Sequence, residues 1–371
     1  MKQKSLWLKW LLSLTPLVLA GLMYFLLPKF PKFTEYIFAR GIFRAVAFPL
    51  EYLVSLIPFS VTEMVVVLLA PTIITLLAFF VYRLVKGGNP KKTAERGVRF
   101  LCTVFSFFLF VFMLTDGANF SRMPLRELMK LPKGEYTVEE LYIVTSDLAK
   151  KASTAREKFS EDKNGVVALS VTKKQLLKNA NNVYENIAKD YHFLKTGATR
   201  VKSVALSHWW SYTGTTGVYC PWTLEANVNT DVPVSGLGFT SAHEIAHTMG
   251  FAKEMECNFL AFLGCATSGQ ADYEYSGYLS AFIYCSNDLY RADKELWENA
   301  TLNCSAGVIR DIKCRNDYWD GFNGEIMDTA QSVNDSFIKV NGVESGVLSY
   351  NQMVDLVLSY YDSLGFFSIN R

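Results

Sequence analysis

Three long apolar segments in the first 115 residues decide what the rest of the chain can fold into. Residues 6–27, 61–82 and 98–114 are rich in Leu, Val and Phe and carry few charges. A helix needs about 20 apolar residues to cross the hydrocarbon core of a bilayer. The pattern therefore predicts a membrane region with three transmembrane helices over residues 1–115, followed by one domain over residues 116–371.

The charges beside these segments predict the orientation of the chain. Lys and Arg are concentrated in residues 83–99, and further lysines precede the first segment. The positive-inside rule places both regions in the cytoplasm, so the sequence predicts a multi-pass protein of the cell membrane with an extracytoplasmic C-terminal domain. Residues 33–59 mix aromatic and charged residues, which indicates a stretch that lies at the membrane interface or folds on the outer side. A cleaved signal peptide is the alternative for the first segment, disfavoured by its length and by the two segments that follow.

The composition of the C-terminal part indicates a globular α+β domain. The net charge of +2 and the absence of a long basic tract argue against nucleic acid as a partner. Apolar periodicity predicts helices, and two short β-type runs predict strands near residues 201–207 and 224–228. The predicted helical segments are residues 136–159, 172–191, 273–290, 306–340 and 349–364.

The sequence His243-Glu244-Ile245-Ala246-His247 is the most specific chemical motif in the chain. On a helix, residues i and i+4 share one face, so the two imidazoles can bind one Zn²⁺. Glu244 would lie beside the metal, where a carboxylate can take a proton from a water that the metal activates. Gly250 is a natural end for this helix. The alternative is a surface helix with two ordinary histidines, disfavoured because the next residues also fit a metal site.

Two glutamates compete to be the third metal ligand. Glu254 and Glu256 begin a second predicted helix directly after Gly250, and on that helix they face about 200° apart. Asn258 shares the face of Glu254 and could hold a ligand imidazole in place. This argument favours Glu254 and leaves Glu256 as the alternative.

These residues resemble two known families. Glu254 to Asn258 resembles the E-x-x-A-[ND] signature of gluzincin metallopeptidases, with Cys257 where Ala is usual. In those enzymes the first Glu is the third zinc ligand, which the resemblance transfers to Glu254. Over most of its length the chain is also similar to a bacterial membrane-anchored family, domain-of-unknown-function family 3810. The segments that carry this second resemblance are 221–229, the HExxH helix, 250–254 and 275–278. The resemblance implies a mostly helical, zincin-like peptidase domain with a small sheet, and it names no substrate.

Four further polar residues are candidates for the site. Glu225 and Asn227, in a predicted strand before the HExxH helix, either line the substrate cleft by strand addition or form a structural polar pair. Tyr275 and Tyr278 could steady an oxyanion, although with 19 tyrosines in the chain a packing role is the stronger expectation for either one.

The cysteine pattern of the C-terminal part permits disulfides in an oxidising compartment. Six of the seven cysteines lie there, and Cys304 and Cys314 are the first candidate pair.

Two functional hypotheses follow from the sequence. The first is a membrane-anchored zinc metallopeptidase that hydrolyses a peptide or protein substrate, with Zn²⁺ on His243, His247 and Glu254 and with Glu244 as general base. The second is a non-catalytic membrane sensor or scaffold with a structural metal site. An intact Glu244 favours the enzyme, and so does the lack of an evident fourth ligand. The sequence does not indicate the oligomeric state.

Overall fold

The N-terminal part of the chain is a series of helices. The computed structural model describes residues 2–87, 89–346, 348 and 352–367. It begins with α1 (Lys2–Leu26), α2 (Pro31–Phe33), a π-helix (Thr34–Phe43), α3 (Arg44–Ser55), α4 (Val61–Lys86) and α5 (Pro90–Thr115). Three stretches are helical and long and apolar enough to cross a membrane, namely Leu6–Lys29, Val61–Lys86 and Pro90–Thr115. The three predicted spans are therefore confirmed as helices of sufficient length and apolarity.

The basic region between the second and third spans is mostly helical and forms a tight hairpin. Asn89 caps α5 by accepting a hydrogen bond from the Lys92 backbone N–H, and Pro90 occupies the first helical position. α5 packs along α1, whereas its contact with α4 is weaker. In the 18 most apolar consecutive residues of α4, no residue is buried against the rest of the chain.

The stretch between the first two spans folds onto the C-terminal part of the chain. Phe38 and Phe43 are buried in a core that also contains Leu27, Met113 and Leu224. The sequence left open whether this stretch lies at the membrane interface or folds on the outer side. In the structure it folds against the C-terminal part. The predicted boundary at residue 115 therefore marks a change in composition, while the packing continues across it.

The C-terminal part is mostly helical with one small sheet, as predicted. Its main core lies between the helices that follow the sheet and the long α7, which packs most closely on α13. The predicted helix over residues 172–191 is broken into α8, a 3-10 helix (Ala180–Tyr184) and α9, and within the 3-10 helix the Asn181 side chain donates to the Gly197 carbonyl. The helices are α6 (Leu125–Leu128), α7 (Val138–Arg156), α8 (Lys173–Asn179), α9 (Ile187–Asp190), α10 (Ser207–Ser211), α11 (Leu237–Thr248), α12 (Glu254–Thr267), α13 (Ala271–Ala292), α14 (Lys294–Thr301), α15 (Ala306–Asp320), α16 (Glu325–Val340) and α17 (Met353–Ser363).

The sheet has three strands in the order β1-β3-β2. β3 (Glu225–Val228) is central, pairing in parallel with β1 (Lys202–Ser203) and antiparallel with β2 (Gly217–Cys220). Strand addition beside Glu225 and Asn227, one of the two interpretations from the sequence, requires a free strand edge, and β3 has none because both of its sides are paired. Between residues 202 and 228, β2 is the edge strand that packs near α11.

All seven cysteines are free thiols. The predicted Cys304–Cys314 pair does not form, and the geometry explains why. Cys304 precedes α15, while Cys314 lies eight residues into that helix. At about 1.5 Å per residue the two positions are separated by more than the roughly 7 Å that a disulfide can span.

Candidate metal centre

The HExxH motif lies on α11, which is buried along most of its length. Both histidines are about nine-tenths buried. The helix ends at Thr248, and Gly250 follows with φ +82°, the left-handed conformation that glycine adopts without strain. The predicted end of the helix is therefore confirmed, and the turn at Gly250 leads directly into α12.

Three side chains from α11 and α12 converge on one point. His243 Nε2 lies 3.1 Å from His247 Nε2 and 3.1 Å from Glu254 Oε2, and His247 Nε2 lies 3.7 Å from Glu254 Oε2. Ligand atoms bound to a tetrahedral Zn²⁺ at its usual distances lie about 3.3 Å apart. The three observed separations bracket that value, so the group fits a tetrahedral metal ion.

The orientation of one imidazole is fixed by its neighbours. His247 Nδ1 lies 2.8 Å from the Phe251 carbonyl oxygen, which directs its Nε2 lone pair towards the point of convergence. The Cys257 thiol lies beside the same nitrogen. His243 Nδ1 is buried and has no hydrogen-bond partner among the residues that the structure describes. The Asn258 amide, which the sequence analysis expects to hold a ligand imidazole, donates to the Tyr284 hydroxyl at 3.4 Å.

The structure separates the two candidate glutamates. Glu254 joins the histidines, and although burial acts to raise its pKa, the two imidazoles hold that pKa well below its usual range. Glu256 points to another element, where its carboxylate accepts a 2.9 Å hydrogen bond from the Leu125 backbone N–H at the start of α6. The helical-face argument from the sequence thus selected the glutamate that lies with the histidines.

Glu244 is buried beside the histidines and pressed against the edge strand. A Cβ on Gly217 would come within 2.9 Å of the Glu244 carboxyl carbon and closer still to its oxygen. Only glycine therefore permits the carboxylate to lie where it does. Burial raises the pKa of Glu244 to about 7, an effect that the nearby imidazoles and the Tyr219 backbone partly offset. Its Oε2 has no hydrogen-bond partner within the described parts of the chain, so this oxygen is free to accept a proton.

Three residues near the metal-binding group were not singled out from the sequence. Tyr219, on β2, stacks on His247 with ring centroids 6.0 Å apart and an interplanar angle of 14°. Burial raises the pKa of Asp116 to about 7, and the charges of His247 and Glu254 also act on it, which places Asp116 near the group. Tyr284 is likewise within the influence of Glu254. Sequence spacing gives no signal for these residues, because they come from β2, the end of α5 and the middle of α13.

The structure gives Tyr275 and Tyr278 partners other than the metal-binding group. The buried Tyr275 hydroxyl donates to Asp311, and the Tyr278 hydroxyl reaches the Ala266 carbonyl at 3.4 Å. These contacts give no support to the oxyanion role considered for them. The tyrosine of α13 that contacts Asn258 on the metal-binding helix α12 is Tyr284.

Glu225 and Asn227 form hydrogen bonds with the start of α4, the second apolar helix. The Glu225 carboxylate accepts hydrogen bonds from the backbone N–H groups of Val61 and Thr62 at the start of α4, and it pairs with the buried Lys202 ammonium. Asn227 donates to the Thr62 hydroxyl at 3.1 Å. Of the two alternatives from the sequence, the structural polar pair matches these contacts.

The turn after α11 is supported by a buried ion pair that joins Arg122, after α5, to Glu35 in the stretch between the first two apolar helices. Arg122 donates to the Gly250 carbonyl at 2.6 Å and pairs with Glu35 on the π-helix at 2.8 Å. Phe43 packs against Gly250. The position of the metal-binding group thus depends on residues from both parts of the chain.

Comparison with known proteins identifies a family. No curated protein and no solved structure matches the chain. A family model described as "Protein of unknown function (DUF3810)" matches residues 38–358, which cover most of the stretch between the first two apolar helices, the second and third apolar helices and the whole metal-binding region. The chain therefore belongs to the DUF3810 family, as its sequence resemblance predicted.

Proposed function

We propose that this protein is a membrane-anchored, zinc-dependent metallopeptidase with a zincin-like domain. The observation that carries the proposal is the pairing of a His-His-Glu group of tetrahedral dimensions with a buried glutamate that has a free oxygen. His243, His247 and Glu254 would hold Zn²⁺. When bound there, Zn²⁺ supplies Lewis acidity that polarises the peptide carbonyl and lowers the pKa of water.

The residues of the chain would divide the remaining work. Glu244 accepts the proton of the attacking water at Oε2 and passes it to the leaving amine. Gly217 leaves room for that carboxylate, and the Phe251 carbonyl keeps His247 in the tautomer whose Nε2 binds metal. The β2 strand, which lies at the edge of the sheet and near α11, would offer backbone groups to an extended substrate.

The number of ligands favours the enzyme over a sensor or scaffold with a structural metal. Over the described ranges, the metal-binding group has three members. Structural zinc sites usually have four protein ligands, whereas catalytic sites keep one position open. A purely structural site would also have no need of a buried, desolvated Glu244 next to the metal, because burying an unpaired carboxylate is costly.

We further propose that the three apolar helices cross the cell membrane and that the C-terminal domain lies on the extracytoplasmic side. The basic residues at the α4–α5 hairpin support this orientation. The partly exposed Cys314 gives a direct test, because a membrane-impermeant thiol reagent should label it in intact cells. Labelling only after lysis would invert the orientation.

Metal analysis of the full-length protein in detergent tests the site. Wild type should contain about one zinc per chain, and Glu254→Gln should lose most of it. Glu256→Gln is the matched control: it should keep its zinc, because Glu256 contacts the start of α6. Zinc loss in Glu256→Gln but not in Glu254→Gln would contradict the ligand assignment.

Peptide cleavage tests the chemistry. Full-length wild type, offered a degenerate peptide library, should show cleavage that a chelator abolishes. Glu244→Gln should keep its zinc and lose roughly a hundredfold or more in rate, the usual scale for a general base. Absence of chelator-sensitive cleavage by wild type would refute the peptidase and favour the sensor or scaffold.

A further inference from the structure

We propose that the substrate is itself a membrane protein, cut in the extended segment immediately outside its transmembrane helix. This inference rests on the proposed peptidase function and on the membrane position of α1, α4 and α5. It follows from where the metal-binding group lies relative to the ends of those helices.

The metal-binding group lies one side chain away from the end of the third span. The Tyr219 ring stacks on His247, and the Tyr219 hydroxyl donates to the carbonyl of Thr115, the last residue of α5, at 3.3 Å. Asp116, the next residue, interacts electrostatically with His247 and Glu254. With α5 in the membrane, a site in this position lies close to the membrane surface.

The edge strand leads from the metal-binding group towards the membrane. Gly217 at one end of β2 touches Glu244, and Tyr219 lies against His247. In the turn after β2, the Trp222 ring stacks on Phe108 with centroids 4.1 Å apart, and its indole N–H donates to the Phe108 carbonyl. Phe108 precedes the end of α5 by seven residues, or about 10 Å along the helix axis. Tryptophan at this depth is typical of the membrane interface.

The same turn is fixed between two spans. The Thr223 hydroxyl hydrogen bonds with the Thr62 hydroxyl at 2.6 Å, at the start of α4, while the neighbouring Trp222 is held by α5. The turn is therefore anchored at the start of α4 and about two turns of helix before the end of α5. A polypeptide that pairs with the outer edge of β2 would run down to this point and enter the bilayer beside it.

A second element marks the same membrane surface. In α16, Phe337 packs against Phe112 of α5, and the Tyr24 hydroxyl of α1 donates to the Val340 carbonyl. The exposed apolar side chains of α16 recur at helical spacing, as expected for a helix lying in the interface plane. They are Ile326, Val333, Phe337 and Val340.

These positions set the distance between the cleaved peptide bond and the membrane helix of the substrate. β2 rises about 3.4 Å per residue, so its four residues cover about 10 Å between the level of Glu244 and the turn that touches α5. An extended substrate would therefore be cut about three to six residues outside its membrane helix. A peptide bond tens of residues away would reach the site only if its linker folded back.

Three synthetic probes would test this with the full-length protein in liposomes. The first carries a degenerate eight-residue segment directly outside a single transmembrane helix. The second inserts a 20-residue Gly/Ser spacer, whose average span is roughly 25 Å, between helix and segment. The third is the same degenerate segment as a soluble peptide. The spacer probe controls for the concentrating effect of the membrane, which both anchored probes share.

The expected result is chelator-sensitive cleavage of the first probe at least tenfold faster than cleavage of the second. Equal cleavage of the two anchored probes, or faster cleavage of the soluble peptide, would overturn the proposal while leaving the peptidase intact. No chelator-sensitive cleavage of any probe would instead refute the peptidase.

A measurement that needs no turnover gives an independent result. A photoreactive residue in place of the exposed Val218 on β2, in the Glu244→Gln background, should cross-link the first probe in preference to the second. The exposed Leu302, in the turn after α14, is the control position. Equal capture from both positions, or equal capture of both anchored probes, would contradict the membrane-proximal binding site.

Discussion

Substitution of Gly217 by Ala tests the role of Glu244 without touching Glu244 or a metal ligand. No positive φ restricts this position, so Ala can adopt the strand backbone. Its added methyl group would approach within 2.9 Å of the carboxyl carbon, whereas ordinary contacts begin at 3.4 Å. The oxygen is closer still, so the carboxylate must move by on the order of 1 Å, a displacement that can cost about a hundredfold in rate.

We therefore expect Gly217→Ala to retain zinc and to lose about a hundredfold in chelator-sensitive peptide cleavage. Gly41→Ala is the matched control, because a Cβ there would meet nothing within 4 Å. Adding Gly217→Ala to Glu244→Gln should cause little further loss, since both changes act through the same carboxylate.

Two results would refute this reasoning. Full activity in Gly217→Ala would mean that β2 shifts instead of the carboxylate, in which case the free energy of unfolding would fall by the usual cost of overpacking, about 1–3 kcal/mol. Loss of zinc would mean that the distortion spreads from β2 to the histidines. The metal ligands would then depend on β2 as well as Glu244 does.

Three further predictions concern stability, each measured by thermal unfolding of the full-length protein in detergent. Glu35→Gln should destabilise by about 3–5 kcal/mol because it leaves the buried Arg122 without its carboxylate, whereas Arg122→Met should cost less because Glu35 keeps its ion pair with Arg40; the double change should cost less than the sum of the two, and additive costs would contradict a direct pair. Glu225→Gln should lower stability by a similar amount with unchanged zinc content and unchanged KM, because the carboxylate holds α4 and Lys202; a raised KM with normal stability would return it to the cleft. Burial raises the pKa of Glu51 from 4.5 to about 7, so its stabilising contribution is complete below pH 4.5 and is lost as the pH rises through 7; Glu51→Gln should flatten that part of the pH profile, and an unchanged profile would contradict the assignment.

The sequence predicted best where the relevant geometry is local. The spacing of His243 and His247 needs only a helix, and the choice of Glu254 over Glu256 needs only one turn of the next helix. The three long apolar helices were predictable for the same reason, because their signal is a continuous apolar run.

The sequence failed where a role depends on distant partners. The backbone groups that Glu225 accepts from lie more than 160 residues away in the chain. The sequence did not show which side of α13 would face the metal-binding group, because packing on α7 determines how that helix is turned. Tyr275 was a candidate for this reason. Asp116 and Tyr219 carried no motif, and only the approach of α5 to β2 brings them to the histidines.

The core shared by the stretch between the spans and the turn at Gly250 sets an order of assembly. Synthesis proceeds from the N-terminus, so Glu35 and Phe43 are made, with α1, α4 and α5, before α11 leaves the ribosome. The last turn of the metal-binding helix then closes on a surface that is already in place. Severing the chain after α5 and releasing the C-terminal part would strip Arg122 of its counter-ion and uncover the apolar patch at Gly250. Release of the C-terminal part by such a cut would therefore disrupt the turn that follows the metal-binding helix.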